Sequence, residues 1–413
     1  MANENDQEGI HSIHIYPARM VPQVIRDLIK LYGREGEPIG DFHGGSGTVA
    51  VEGLKLGYDV TTTDINPLSE LLTSVKCTYI EESKLEDRLS KIRAAFSIAK
   101  ISHAEVRDAT DKIPHLEYWF QPNVIKGLIN LKSKVLDVRD SDIRDFFKVC
   151  FSYTVRKASN NRTREFKLYR RPGKKLKTYD PNVLDIFTTV AKKGISGMSY
   201  IKDITKKPTI LTDDARHTSL ESNYLGLQLT SPPYGDSTTT VAYGQFSKYP
   251  LLWLGYDVED VKNIDKVSFG GKDSGEGDAR DVLERSPSLK SVEEKVRARD
   301  PKRSEVLTRF FRDMNDSLKE MRRVLKDRRF CIIIIGNRTM RGVGIPTINI
   351  TKELAEAGWE IEGKRKKFEC LDVKERHIYQ KRLPYVGAPQ GRTGEWEPCD
   401  LIMNEAIIVM KSD

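Results

Sequence analysis

Apolar positions near the start of the chain follow two different periods. In "PQVIRDLIKLYG", Val24, Ile25, Leu28 and Ile29 recur on one helical face, and Gly33 follows as a stop. The next stretch, "EPIGDFHGGSGTVAVEGLKLGYDVTTTDINP", reads as a strand, a glycine-rich turn, a helix and a second strand closing at Asp64. Strand, crossover helix and strand in that order make a βαβ unit, which implies a parallel sheet. From 80 to 205 the pattern is mainly helical and polar, and "DVRDSDIRDFFKVCFSYTVRKAS" predicts a packed helix. Strand patterning returns at "PTILTDDAR" and "LGLQLTSPPY". Residues 257–304 are charged and glycine-containing, which predicts a mobile insertion. A long amphipathic helix over about 304–326 precedes the apolar strand "RFCIIIIGN". A helix around 346–357 and strands near 359–369 and 404–410 complete an α/β pattern with no internal repeat.

Composition narrows the class. The chain has 413 residues, 38% hydrophobic and 31% charged, enough for one large α/β domain with an insertion. It has no apolar run of membrane-spanning length, and "MANENDQEGI" lacks the basic and apolar regions of a signal peptide. Cys77, Cys150, Cys331, Cys370 and Cys399 form no CxxC pair and no metal-ligand spacing. They read as reduced core residues, so a cytoplasmic protein without a bound metal is expected. Net charge is +8, and residues 156–177, "RKASNNRTREFKLYRRPGKKLK", carry ten Lys/Arg and one acid. The rest of the chain is therefore about neutral. A basic block with Phe166 and Tyr169 mixed in suggests a phosphate-binding surface; the alternative is a solvated basic loop.

Two turns carry the chemistry. In "DFHGGSGT", Gly44, Gly45 and Gly47 stand between a strand and a helix start, where backbone can approach a ligand and free amides are on offer. The spacing is not GxGxxG, so a dinucleotide reading is weak. Asp64, at the end of the second strand, can accept hydrogen bonds from both hydroxyls of a ribose, or alternatively cap the helix before Pro67. The second turn is "TSPPY". Two adjacent prolines end the strand and fix φ twice, so Ser231, the carbonyls of Pro232 and Pro233 and the ring of Tyr234 are held in one orientation.

These residues together resemble an S-adenosylmethionine-dependent DNA amino-methyltransferase of the N4-cytosine type. "DFHGGSGT" is similar to that family's Asp-Pro-Phe-x-Gly-Ser-Gly-Thr motif: Asp41, Gly45, Ser46, Gly47 and Thr48 match, while Phe42 stands for the usual proline and His43 for the usual phenylalanine. "HIYPARMVP" resembles the motif that packs beside the cofactor, with Tyr16 and Pro17 in it. "TDDAR" resembles the acidic motif that meets the adenine, with Asp214 the matching residue, and "TSPPY" resembles the catalytic motif. "ERHIYQKRLP" and the closing strand resemble later elements that wall the target-base pocket. The resemblance implies a Rossmann-like class I methyltransferase sheet, mostly parallel with an antiparallel C-terminal strand. It divides the chain into a cofactor-binding half (1–79), a mainly helical insertion that is a candidate for target recognition (80–207) and a catalytic half (208–413). Cofactor residues implied are Tyr16, Pro17, Asp41, His43, Gly45, Ser46, Gly47, Thr48, Asp64, Asn66 and Asp214.

The expected activity is methyl transfer to cytosine N4 in duplex DNA, protecting DNA against a cognate restriction endonuclease. A cytosine amino nitrogen is a poor nucleophile because its lone pair is delocalised into the ring. Acceptors on its N–H groups, Ser231 Oγ and the Pro232 carbonyl, localise that pair, and Tyr234 stacks on the extruded base. Pro398-Cys399 lies far from any such corner, which argues against thiolate attack. Arg156, Lys157, Arg162, Arg164, Arg170, Arg171, Lys174 and Lys175 are the candidate DNA contacts. The competing readings are N6-adenine methylation, an RNA amino-methyltransferase and an inactive DNA-binding protein. The RNA enzymes often carry a separate N-terminal RNA-binding domain, whereas here the cofactor half begins within the first 20 residues.

Overall fold

The computed structural model describes residues 9–162, 166–236, 241–275, 278–377 and 404–413. The strands are β1 (Ile39–Asp41), β2 (Val60–Thr63), β3 (Thr209–Leu211), β4 (Leu225–Thr230), β5 (Leu325–Ile335), the hairpins β6 (Arg338–Met340)–β7 (Val343–Ile345) and β8 (Trp359–Ile361)–β9 (Lys364–Lys366), then β10 (Phe368–His377) and β11 (Asn404–Ser412). Helices α1 (Pro22–Tyr32), α2 (Thr48–Lys55) and α3 (Pro67–Lys76) belong to the first third. Helices α4 (Glu82–Ala95), α5 (His103–Lys112), α6 (Leu116–Trp119), α7 (Pro122–Leu136), α8 (Ser141–Ala158), α9 (Gly173–Lys177) and α10 (Val183–Ser196) fill the middle. Helices α11 (Tyr243–Leu254), α12 (Val258–Val267), α13 (Pro287–Arg299), α14 (Pro301–Val324) and α15 (Thr347–Ala357) follow.

Seven strands form one sheet in the order β10-β11-β5-β4-β1-β2-β3. Pairing is parallel from β5 through β3, and β11 runs antiparallel to both of its neighbours. This is the expected mostly parallel α/β sheet with an antiparallel C-terminal strand. Every residue of β1, β2 and β4 is buried, as is the "CIIII" run that ends β5. Central parallel strands are covered on both faces; the end of β5 is accordingly a continuous apolar run, whereas β1, β2 and β4 carry Asp41, Thr61, Thr62, Thr63, Gln228 and Thr230 into the interior.

Two cores cover the sheet. One joins Ile25 and Ile29 of α1 and Leu72 of α3 to Phe146 and Phe151 of α8 and Phe187 of α10. The helical 80–205 stretch therefore packs into the same core as the first βαβ unit. The other core is built on α14, with Leu307, Phe310, Phe311, Met314 and Leu318 buried beside Ile333 and Ile335. The chain leaves β1 toward β2 and β3, then returns on the opposite side through β4 and β5. The crevice at the carboxyl ends of β1 and β4 is thus the switch point where ligands bind in open α/β sheets.

Residues 257–304, expected from their charge to be a mobile insertion, contain α12, α13 and a 3-10 turn over Ala279–Arg285. Leu289, Val292 and Val296 of α13 are buried in the α14 core. The interspersed Lys, Arg, Glu and Asp masked a narrow apolar stripe. Leu289→Ala is expected to lower unfolding stability by about 2–4 kcal/mol in urea denaturation, as for other fully buried leucines. A change below about 0.5 kcal/mol, the range of ordinary surface substitutions, would show that this helix is not packed.

Candidate active site

The glycine turn is shaped by its backbone. The Gly44 N–H donates to the Thr63 carbonyl at 2.9 Å, and the Gly47 N–H donates to the Gly44 carbonyl at 2.8 Å. Gly47 caps α2 with φ +75° and no side-chain cap, leaving the helix N-terminus to other acceptors. A Cβ there would lie 2.7 Å from Thr73 Oγ1 and 3.0 Å from Thr73 Cα. Lys76 of α3, fully buried, donates from Nζ to the Ser46 carbonyl at 2.8 Å. Burial holds its pKa down to about 7. The sequence reading missed Lys76; a lysine between Val75 and Cys77 at the end of an apolar helix was the available signal.

Asp64 follows β2. Its Oδ2 accepts the Gly45 N–H at 2.8 Å and its Oδ1 accepts the Asn66 N–H at 2.9 Å. Burial raises its pKa. The Ser69 side chain also hydrogen-bonds this carboxylate, which lines a cleft between the glycine turn and the proline corner. Asn66 lines the cleft too, but its amide is already engaged. Its Oδ1 accepts the Leu68 N–H at 3.1 Å, and Nδ2 donates to Tyr16 Oη at 3.3 Å and Ser247 Oγ at 3.2 Å. Asn66 thus caps α3 and positions Tyr16, whose ring packs edge-on against Phe246.

Asp41 lies beneath the cleft and does not line it. Its Oδ1 accepts the Thr230 hydroxyl at 2.7 Å and the His43 N–H at 3.1 Å, while Oδ2 has no hydrogen-bond partner. The residue expected as a cofactor contact instead ties the end of β1 to the end of β4. Burial, with the nearby charge of Asp64, pushes its pKa up to about 7.

At the proline corner the Ser231 hydroxyl donates to the Ile334 carbonyl of β5 at 3.0 Å. With its hydrogen so fixed, Oγ faces any further partner as an acceptor. Tyr234 Oη donates to Glu405 Oε2 of β11 at 3.0 Å, and burial followed by the Glu405 charge raises its pKa. Ser231 and Pro233 line the same cleft as Gly45, Ser46, Thr48 and Asp64. Pro232 is buried behind them, and Tyr234 packs its ring against the α14 core.

Tyr16, Pro17, His43, Asp214, Tyr243 and Phe269 also line this cleft, which holds about 810 Å³ of empty space with its open mouth included. That size suits a nucleoside-sized ligand. Asp214 Oδ1 accepts both the N–H and the Nε–H of Arg216 at 2.9 Å. Burial raises the Asp214 carboxyl, but Arg216 outweighs it and holds the pKa below the usual value. Much of this acceptor is therefore occupied within its own loop. Ile264, Val267 and Phe269 come from the 257–304 stretch, which the sequence reading did not place at this site.

The basic block divides. Arg156, expected at the surface, is buried: it donates to the Phe246 and Phe166 carbonyls at 3.0 Å and lies over the Phe246 ring at 4.0 Å. Phe246 of α11 covers it at the last turn of α8, and burial lowers its pKa to about 9. Arg156 therefore pins the following segment to α11. Lys157, Arg162, Lys174 and Lys175 are exposed. Arg170 and Arg171 are half-buried and lie over Tyr118 and Tyr179 at 4.2 and 3.8 Å. Leu168 donates its N–H to Gln245 Oε1 at 3.3 Å, so the block abuts the helix that follows the proline corner. Arg164, Cys399 and residues 378–384 of "ERHIYQKRLP" lie outside the described residues. Among the described residues, no group of His, Cys, Asp and Glu is arranged to hold a metal ion.

No protein-family model matches the chain. It is 34% identical to the type II methyltransferase M.MvaI of Kocuria varians over 428 aligned positions, covering 99% of this chain and 92% of that protein. A segment of 97 positions, 22% of this chain, is 31% identical to the type II methyltransferase M.MjaII of Methanocaldococcus jannaschii and covers 18% of it.

The burial of Asp41 has a consequence for stability. Its folded pKa is raised from 3.8 to about 7, so its stabilising contribution is full below 3.8 and is lost as pH rises through about 7. Asp41→Asn keeps an acceptor for Thr230 and has no such titration. Its thermal midpoint is expected to fall less than that of the parent between pH 4 and 7. Parallel curves for the two proteins would contradict the assignment.

Proposed function

The chain belongs to the type II methyltransferases, and on that premise we propose that it transfers a methyl group from S-adenosylmethionine to cytosine N4 at a short specific sequence in duplex DNA. In a cell it acts in the cytoplasm as the protecting arm of a restriction–modification pair, beside an endonuclease that cuts the same sequence. The observation that carries this reading is the fixed orientation of Ser231 in the same cleft as Asp64 and the glycine turn.

The residues present fit the cofactor. Asp64 offers a carboxylate acceptor at the cleft for a ribose hydroxyl, Gly45, Ser46 and Thr48 line the cleft at an uncapped helix start, and Tyr16, Phe269 and Ile264 supply apolar wall. When bound, S-adenosylmethionine supplies an electrophilic methyl group on a sulfonium centre. Ser231 Oγ accepts one N–H of the target amine, because its own hydrogen is held by Ile334. The Pro232 carbonyl accepts the other. The two contacts draw the nitrogen toward tetrahedral geometry and localise its lone pair, and the amine gives up one proton to solvent as the new bond forms. Tyr234, anchored through Glu405, stacks on the base that has left the duplex. Positioning supplies much of the rate, since neither a metal nor a covalent enzyme intermediate is needed. Lys157, Arg162, Arg164, Arg170, Arg171, Lys174 and Lys175 contact DNA phosphates, and Arg156 holds their segment beside α11.

Nucleoside mass spectrometry of mixed-sequence DNA treated with enzyme and S-adenosylmethionine tests the reading. The expected product is N4-methylcytosine. N6-methyladenine alone would overturn the base assignment, and methylated RNA with untouched DNA would overturn the substrate class. Ser231→Ala is expected to keep folding and cofactor binding and to lower turnover about a hundredfold, as loss of one preorganised polar contact does elsewhere.

A further inference from the structure

His43 occupies the position where the family resembled here usually has phenylalanine. Its backbone N–H is fixed on Asp41, and its ring meets Phe269 edge-on, with centroids 5.1 Å apart and planes at 88°. Both residues line the cleft that holds Asp64. The His43 Nε2 atom is buried and has no hydrogen-bond partner.

Its charged neighbours are already engaged. Asp214 is held by Arg216, and Arg216 also donates to the Val267 carbonyl at 2.9 Å and pairs with Asp313 at 3.2 Å. Burial keeps the His43 imidazole neutral, with its pKa pushed down to about 4. A neutral ring carries one N–H donor and one acceptor nitrogen, and a buried polar atom without a partner is disfavoured until a ligand supplies one. Phe269 stands against the His43 ring, and Ile264 and Val267 line the same cleft with Asp214 and Arg216. An aromatic face beside an unpartnered hydrogen-bonding atom suits a flat heteroaromatic ring with a polar edge. A phenylalanine would provide the face without that atom.

We propose that His43 and Phe269 form the purine end of the cofactor cleft, with His43 Nε2 hydrogen-bonded to a polar atom on the edge of the adenine. This rests on the reading of the cleft as an S-adenosylmethionine site. It gives the 257–304 segment a role: α12 and the turn after it close the adenine side of the cleft, so the segment belongs to cofactor binding.

Calorimetric titration with S-adenosylhomocysteine, the unreactive product, tests the proposal on the full chain. His43→Phe is expected to fold with an unchanged thermal midpoint and to bind S-adenosylhomocysteine roughly five- to twentyfold more weakly, the effect of losing one neutral hydrogen bond to a buried site. His43→Gln, which restores a donor and an acceptor, is expected to recover part of the loss. In histidine-labelled protein, the His43 Nε2 resonance is expected to shift on binding. Equal affinity of the parent and His43→Phe, or an unmoved Nε2 resonance, would overturn this proposal while leaving the cofactor reading intact. Failure of the parent to bind S-adenosylhomocysteine would overturn both.

Discussion

The hydrogen bond from the Gly45 amide to Asp64 closes the first βαβ turn, and the geometry of the cleft depends on it. It joins the loop after β1 to the residue after β2. The same carboxylate accepts the Asn66 N–H, and Asn66 then caps α3 and holds Tyr16. Lys76 supports the turn from behind through the Ser46 carbonyl. One side chain thereby sets the glycine turn, the start of a helix and one cleft wall. Because it is half-buried and already accepts two backbone amides, a ligand hydroxyl meets an acceptor whose orientation is set before binding.

The proline corner is held by the same kind of cross-strand tie. Thr230 bonds Asp41 of β1, Ser231 bonds the Ile334 carbonyl of β5, and Tyr234 bonds Glu405 of β11. Successive parts of the corner are thus fixed to three strands of one sheet. Asp236 extends the pattern through a buried ion pair to Arg338 at 2.9 Å. A reaction that relies on acceptors placed against a weak nucleophile gains from such rigidity, since little reorganisation accompanies the transition state.

The central sheet was legible because β5 ends in a plain apolar run and glycine, proline and aspartate punctuate the shorter strands. The elements from α1 through β2, β4 with its corner, and the α14–β5 succession all follow from those signals. What stayed hidden depended on tertiary neighbours. Asp41 and Asp64 look alike in sequence, yet one ties strands beneath the cleft and the other opens onto it. Arg156 reads as one cation in a basic run, but the fold turns it onto Phe246. The stripe of Leu289, Val292 and Val296 is narrow and surrounded by charge, so composition outweighed periodicity in the 257–304 stretch. Phe269 could be placed opposite His43 only once that stretch was folded against the sheet.

The proposed ribose contact falls on the same Asp64 carboxylate that shapes the glycine turn. The most direct measurement is calorimetric titration of S-adenosylmethionine into the parent and Asp64→Ala, with thermal midpoints recorded for both. Losing a charge-assisted hydrogen-bond acceptor typically costs ~1.5–3 kcal/mol, so affinity should fall roughly ten- to a hundredfold in a protein that still unfolds cooperatively. Unchanged affinity would contradict the account.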